Sequence, residues 1–282
     1  MAKKPTTTTA KELATASEAG LPALAFEVDL LADVGAGMEG ADKDSFAIPF
    51  LGVLQKISPQ VDEADAKYIE GAKGGQLFNT VTQQLFDGKE GVLFIPCAFQ
   101  RRFLRWGPRG GENSGFKGEL FPEAVAEMRQ NGDVIEHEGR LYFPMEDGKF
   151  DEKRCDRLSD TRNHFGVVYD PETETAVQVL LSLSSTQIKK SKQLMAMLSA
   201  VKVSGPKGMV TPPTWSNVVR LTTVAESNDK GSWYGLKITP EGFVPNRELY
   251  DLGKAFHELI TAGEGVIDYA QADAAEEAKP GF

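Results

Sequence analysis

The sequence predicts a mainly β fold with a few helices, of the α+β class. Three observations lead to this prediction: short runs rich in β-branched and aromatic residues recur through the middle of the chain, turn-forming residues separate them, and only two strong helical patterns interrupt them. Many short strands with long connections favour a Greek-key barrel or a sandwich. The OB-like barrel is the small member of this group, and periodicity alone does not select it.

The composition divides the 282 residues into three parts. Residues 1–45 are rich in Thr and Ala, with 4 basic and 8 acidic side chains, and are predicted to form a flexible arm. Residues 261–282, with 1 basic and 5 acidic side chains, are predicted to form a flexible acidic tail. The intervening residues 46–260 carry nearly balanced charge, and we expect them to form one OB-like domain with elaborations.

Runs with the composition of β-strands follow one another through the middle part of the chain. In order, they are Phe46–Ile57, Phe78–Phe86, Val92–Phe99, Phe103–Trp106, Phe165–Tyr169, Ala176–Leu183, Asn217–Val224 and Tyr234–Thr239. The segments FDGKEG and YDPETE carry the Asp, Gly and Pro residues of turns, so each predicts a sharp connection between neighbouring strands.

Helical periodicity predicts two strong helices and a weaker one. Ser184–Val201 opens with SSTQ, which predicts a capping box between Ser184 and Gln187. Arg247–Ile260 has large apolar residues on one face, and Glu123–Gln130 has a weaker pattern of the same kind.

The sequence lacks the usual patterns of enzymes, metal sites and membrane proteins. It contains no GxxxxGK[ST], HExxH or GxSxG motif. Cys97 and Cys155 have no zinc-ligand spacing, and two isolated cysteines fit a reducing cytosol. No apolar run approaches the ~18 residues of a membrane span, and no signal-peptide core is recognisable. We therefore predict a cytoplasmic protein with no catalytic residue, cofactor, metal or membrane partner.

The net charge of -10 conceals two stretches without carboxylates. Neither Gly91–Gly111 nor Thr175–Ala225 contains an Asp or a Glu. Their basic residues are Arg101, Arg102, Arg105 and Arg109 in the first stretch, and Lys189, Lys190, Lys192, Lys202, Lys207 and Arg220 in the second. If the two stretches meet in the folded protein, they form a basic face that attracts polyanions despite the net charge.

Aromatic residues accompany these basic groups, as in FQRRFLRWGPRGG. The bases of a single strand stack on rings, at about 1–3 kcal/mol per base, while its phosphates pair with Arg and Lys. The alternatives are an ordinary solvated face for the basic groups and core packing for the rings. The predicted DNA-binding residues are Arg101, Arg102, Phe103, Arg105, Trp106, Arg109, Lys189, Lys190, Lys192, Lys207, Trp215 and Trp233.

The last residues, EEAKPGF, place a large apolar side chain in an acidic segment that offers no core. The carboxylates of this segment could cover the basic face, or a partner protein could take the ring of Phe282 and its carboxylate in a pocket with a basic rim. The third alternative is an arbitrary terminal residue. The predicted partner-binding residues are Asp273, Glu276, Glu277, Pro280 and Phe282.

The tail resembles the acidic, aromatic-ended tails of replicative single-stranded-DNA-binding proteins of bacteria and phages, although it has fewer acids and an intervening Lys279. The stretches DSFAIPFLGVLQKISPQV, RWGPR, SSTQIKKSK and TPPTWSNVVRLTTVAESNDKGSWYG resemble a group of tailed-phage proteins described as single-stranded-DNA-binding proteins. This resemblance covers about residues 44–260. It implies an OB-type barrel, a role in DNA replication and no catalysis, and it names no binding residue.

From charge, aromaticity and resemblance we predict a phage single-stranded-DNA-binding protein of DNA replication and recombination. A basic, aromatic-lined groove would hold the strand with little regard to sequence. The tail would recruit a polymerase, helicase or recombination factor, and a homo-oligomer is compatible with this role. Two alternatives stay open: a virion structural or internal protein, and a recombination mediator or annealing protein.

Overall fold

The computed structural model of the chain describes residues 37–38, 47–108, 114–145, 147–229, 231–265 and 267–269. Nearly all of the predicted N-terminal arm lies outside the described residues. So do Arg109 and the five predicted partner-binding residues of the tail.

Within these residues the chain forms mostly β-strands and three α-helices. The strands are β1 Leu51–Val53, β2 Leu77–Asn79, β3 Leu85–Phe86, β4 Val92–Gly107, β5 Gly115–Leu120, β6 Ile135–His137, β7 Arg140–Phe143, β8 Asp156–Asp170, β9 Thr175–Ser184, β10 Val203–Gly205, β11 Gly208–Val210, β12 Asn217–Asn228 and β13 Gly231–Phe243. The helices are α1 Pro122–Asn131, α2 Ile188–Ala200 and α3 Arg247–Thr261. The predicted mainly β, α+β class is confirmed.

The antiparallel pair of β4 and β8 is the axis of the molecule, with partners from Leu93 and Tyr169 to Trp106 and Arg157. At one end of this pair, β12 and β13 extend the sheet beyond β4, and β9 extends it beyond β8. At the other end, β5 pairs with β4, and β7 and β6 follow β8. The result is one eight-stranded sheet that curls into an antiparallel half-barrel.

A β-bulge in β4 exchanges the two faces of that strand. The register shifts between Pro96 and Ala98, next to Gly166 of β8. A Cβ atom at Gly166 would lie 2.3 Å from the ring of Phe94, so the close crossing of the strands requires glycine. Because a bulge adds one residue, even-numbered residues before it and odd-numbered residues after it share a face.

Helices bury apolar side chains on the half-barrel. Phe256 and Ile260 of α3 pack with Phe165 of β8, whereas Leu194 and Leu198 of α2 belong to a separate core that includes strands β4, β9, β12 and β13. At the far end of the β4–β8 pair, α1 packs on a smaller third core. Each helix thus covers a different region of one continuous sheet.

The predicted capping box at the start of α2 is wrong. A 3-10 turn, Ser185–Gln187, precedes the helix, and Ser184 makes no capping hydrogen bond through its side chain. Gln187 instead accepts a hydrogen bond from the backbone N–H of Leu236 (3.1 Å) and donates one to Glu226 (3.3 Å). The polar side chain therefore joins the helix to β12 and β13 rather than closing its first turn.

A buried histidine joins α2 to β8. His164 is 1% exposed, and its Nε2 lies 2.8 Å from the hydroxyl of Ser191. Burial, together with the nearby positive charge of Arg162, lowers the pKa of His164 to about 4. The folded protein consequently holds this ring neutral at pH values where an unfolded chain would charge it.

Acidification should therefore destabilise the fold. The unfolded chain protonates His164 near pH 6.5, whereas the folded protein keeps the ring neutral down to about pH 4. The contribution of this ring to the stability of the fold is therefore complete above pH 6.5 and is lost as the pH falls toward 4. We expect this group to cost about 2 kcal/mol of unfolding free energy between pH 7 and pH 5, as measured by denaturant titration. His164→Gln should flatten that dependence, and an unchanged slope in the variant would contradict the assignment.

Candidate nucleic-acid interface

The two carboxylate-free stretches meet in the sheet. Phe94 of β4 pairs with Val219 of β12, so strands from the two stretches are direct neighbours. Further along β4, the ring of Phe99 lies 5.0 Å from that of His164, which contacts Ser191 of α2. The arginines, however, lie on the part of β4 that continues away from β12.

Carboxylates from outside the first stretch neutralise its described arginines. Arg101 pairs with Asp160 (2.7 Å) and Arg105 pairs with Asp156 (2.6 Å). Arg102 lies 3.7 Å from Glu119. These acids belong to β5 and β8, which flank β4 in the sheet. A segment without acids in the sequence is thus not a segment without acids in space.

Asp160 illustrates how firmly these pairs are held. Burial raises the pKa of this carboxyl, but hydrogen bonds from Arg101 and Arg162 outweigh that effect and leave the pKa below its ordinary value. Asp160 is therefore charged at neutral pH. Asp160 bonds both Arg101 and Arg162, and the side chain of Arg101 is 39% exposed.

The expectation that Phe103 and Trp106 are exposed rings is wrong. Phe103 is 6% exposed and packs with Val125 and Leu158 beneath α1. Trp106 is 5% exposed, and its ring meets that of Phe116 edge-on at 5.6 Å. Because cores at this end of the β4–β8 pair cover both faces of β4, neither ring can stack on a base.

Sequence reasoning did not include Phe99 among the binding residues. Its ring is 37% exposed, and it shares a face with Arg101. Pro96, three residues earlier, cannot donate a ladder hydrogen bond and was the available signal of a bulge. Counting alternate residues across that bulge would have placed Phe99 on the face of Arg101 and separated it from buried Ile95 and Cys97.

The lysines of α2 differ in their surroundings. Lys190 lies 3.1 Å from Glu226 of β12, and this pair is largely buried. Burial raises the pKa of Glu226, yet hydrogen bonds from Lys190 and Trp233 outweigh it, so the pKa is lowered. Lys189 and Lys192 are exposed, and no carboxylate of the described residues forms an ion pair with either.

The β10–β11 hairpin, which follows α2, carries further exposed basic and apolar side chains. Lys207 is exposed in its turn and has no ion-pair partner among the described carboxylates. Met209 is 67% exposed, and Val210 next to it is also exposed. Lys202 precedes the hairpin and donates to the carbonyl of Ser199 at the end of α2 (3.1 Å). We call Lys189, Lys192, Lys202, Lys207 and Met209 the lysine surface.

The two remaining candidate tryptophans lie apart. The ring of Trp215 lies 4.6 Å from that of His257 of α3, tilted by 34°, and packs against the core of that side, so it is a structural residue. Trp233 of β13 donates from Nε1 to Glu226 (2.9 Å) and lines a cavity. Only Trp233 is joined to α2, through the carboxylate it shares with Lys190.

No metal centre is found in the described part of the chain: no three His, Cys, Asp or Glu side chains there are grouped to hold an ion. Among the described helices, none has the length and apolar character needed to cross a membrane.

Fold and surface together define a mainly β protein, built on a curled antiparallel half-barrel, with exposed lysines on one helix and one hairpin whose own segment contains no carboxylate. The chain belongs to the Pam3 phage gp34-like protein family, whose model matches residues 17–266, and it is therefore a phage protein. Comparisons with curated proteins and with solved structures found no match.

The burial of Phe103 gives a direct test of its role. Phe103→Ala should remove about 3–5 kcal/mol of unfolding free energy because it leaves a cavity between β4 and α1. Phe243→Ala is the matched control, since that ring is 54% exposed, and it should change stability far less. Equal, small losses for both variants in denaturant titrations would place Phe103 at the surface after all.

Proposed function

We propose that this phage protein binds single-stranded DNA during DNA replication or recombination, with little dependence on sequence. The observation that supports this function is the lysine surface. In it, three exposed lysines without ion-pair partners among the described carboxylates stand on α2 and the β10–β11 hairpin, beside exposed apolar side chains. We also propose that the half-barrel has OB-like topology.

A polyanion is the natural ligand of such a surface. The overall charge of -10 would repel one, but the segment Thr175–Ala225, which forms β9, α2, β10, β11 and most of β12, contributes no carboxylate. Glu226, the acid beside α2, is paired with Lys190. Local potential governs contact when the Debye length is about 8–10 Å, so the distant acids are screened. The lysines can therefore attract phosphates although the whole protein is acidic.

Exposed apolar groups favour a single strand over a duplex. Phe99 and Met209 offer surface to base faces, which are accessible in single strands and stacked inside a duplex. In this assignment Lys189, Lys192 and Lys207 contact phosphates, while Arg102, Arg105 and Lys190 hold the fold through their acidic partners. Arg101 stands at the border of the two groups.

The discriminating experiment is a gel-shift series with single-stranded DNA, duplex DNA and RNA of equal length at two salt concentrations. We expect the single strand to bind more tightly than the duplex and to weaken as salt rises, because counterions are released from phosphates. Binding that salt leaves unchanged would remove the electrostatic basis of the proposal. Faster pairing of complementary strands would instead favour the annealing alternative.

Neutralising the lysine surface should weaken binding and its salt dependence together. With Lys189, Lys192 and Lys207 changed to Ala, the slope of log K against log salt should become shallower by about 2, since each phosphate contact on a single strand contributes about 0.7. The matched control changes Lys67, Lys89 and Lys153, three exposed lysines elsewhere that form no ion pair with a described carboxylate. If both triple variants lose affinity equally, the loss reflects net charge alone, and the lysine surface is not the binding site.

Removing the acidic tail should leave DNA affinity equal or higher. Residues 273–282 contain three acidic groups and one basic group, so truncation removes net repulsion of the strand. Fluorescence anisotropy with a labelled oligonucleotide measures this effect on the full chain and on the truncated one. A loss of affinity would mean that the tail itself contacts DNA, contrary to the proposed role in recruiting replication proteins.

A further inference from the structure

A cavity opens beside the lysine surface, where the ends of β9 and β13 approach β1. Its volume is about 130 Å³, and its walls include Leu51, Leu183, Trp233 and Leu236. Ser185 and Thr186, both exposed, stand at its mouth just before α2. Apolar walls with a polar rim are typical of ligand sites in proteins.

The size of the cavity suits one six-membered ring. An engineered protein cavity of about 150 Å³ admits a single benzene molecule, and one water molecule occupies about 30 Å³ in the liquid. The volume of about 130 Å³ is close to that of the benzene-binding cavity and far above that of one water molecule. A single flat ring therefore fits, and a fused two-ring system would project through the mouth.

The lining chemistry selects a neutral ring with polar edges. None of the described residues that line the cavity carries a charge. The hydroxyls of Ser182, Ser185 and Thr186 offer hydrogen-bond donors and acceptors beside the apolar wall. The amides of Gln55 and Gln187 are already bonded to the protein and fix the shape of the rim. Ser185 adopts a positive φ of 51°, a rare conformation for a residue with a side chain, and such outliers cluster at ligand sites.

Positive charge stands next to this neutral cavity. Trp233 and Lys190 both contact the carboxylate of Glu226, at 2.9 and 3.1 Å respectively, so the cavity wall and α2 are directly linked. Lys189, the preceding residue, is exposed. A ligand with a flat, neutral, hydrogen-bonding ring and a nearby phosphate satisfies both parts of this surface.

We propose that the cavity takes one single-ring nucleobase, a thymine or a cytosine, from the strand that the lysine surface holds. The ring enters between Trp233 and the leucine wall, and its polar edge faces the hydroxyls of the rim. This site gives an otherwise sequence-tolerant protein a preference for pyrimidines. The inference rests on the proposed function, since the strand is what delivers the base.

Photocrosslinking tests the site directly in the full-length protein. An oligothymidine carrying one 5-iodouracil is bound at low salt, irradiated and mapped by peptide mass spectrometry. We expect adducts on the segment that contains Trp233 and Tyr234. Adducts confined to Phe99 or to the β10–β11 hairpin would overturn the cavity while leaving strand binding intact. If no single strand binds at low salt, the proposed function fails first, and this inference fails with it.

Three variants measure the base preference. Trp233→Ala should weaken binding of oligothymidine at least about fivefold while changing binding of oligodeoxyadenosine little, so the ratio of the two affinities falls. Trp233→Phe keeps a ring and should retain most of the ratio, although both variants lose the hydrogen bond to Glu226. Phe243→Ala, an exposed ring of the same strand, is the matched control and should leave the ratio unchanged.

These comparisons also separate the site from a folding defect. A misfolded Trp233→Ala protein would lose affinity for both oligonucleotides, and its thermal transition would differ from that of Trp233→Phe. In that event the test of the site uses the ratio of the two affinities in Trp233→Phe and the positions of the crosslinks in the unaltered protein. An equal ratio in all four proteins would overturn the proposed pyrimidine site.

Discussion

The antiparallel pairing of β4 and β8 is the constraint on which the rest of the structure depends. Each strand is long enough to pass through both ends of the half-barrel, so it contributes to separate cores in turn. The bulge beside Gly166 decides which β4 side chains face which core. Whether a candidate side chain on β4 is buried or exposed therefore depends on the face that this register shift gives it, and not on its residue type.

The same pairing decides where the positive charge is available. β8 places Asp156 and Asp160 diagonally across from Arg105 and Arg101 of β4, and these ion pairs join neighbouring strands. A carboxylate held between cations is a structural element, and its partners are less available to a ligand. Beside the helix that follows β9, Glu226 pairs with Lys190. Lys189, Lys192 and Lys207 are exposed and form no ion pair with a described carboxylate, so the basic surface lies on the helix and the hairpin.

The elements that were predictable carry strong local patterns. The apolar stripe of Arg247–Ile260 predicted a helix close to the observed α3. The turn residues after β3 and before β9 predicted strand ends close to the observed ones. The hairpin of β6 and β7 was missed because it is short and polar. The pairing of β7 with β8 stabilises these strands in place of a strong local pattern. The lysines of α2 were identified from charge alone. The burial of Phe103 and Trp106 was not predictable, since it depends on the bulge and on a helix distant in sequence.

Hydrogen exchange of the full chain, with and without an oligothymidine, tests most directly whether single-stranded DNA binds at the lysine surface. Binding at the lysine surface should slow amide exchange in Ile188–Ala200 and in the β10–β11 hairpin, with no change in Pro122–Asn131 at the other end of the β4–β8 pair. Protection confined to Pro122–Asn131 and its neighbouring strands, or no protection at a concentration that saturates binding, would contradict the account.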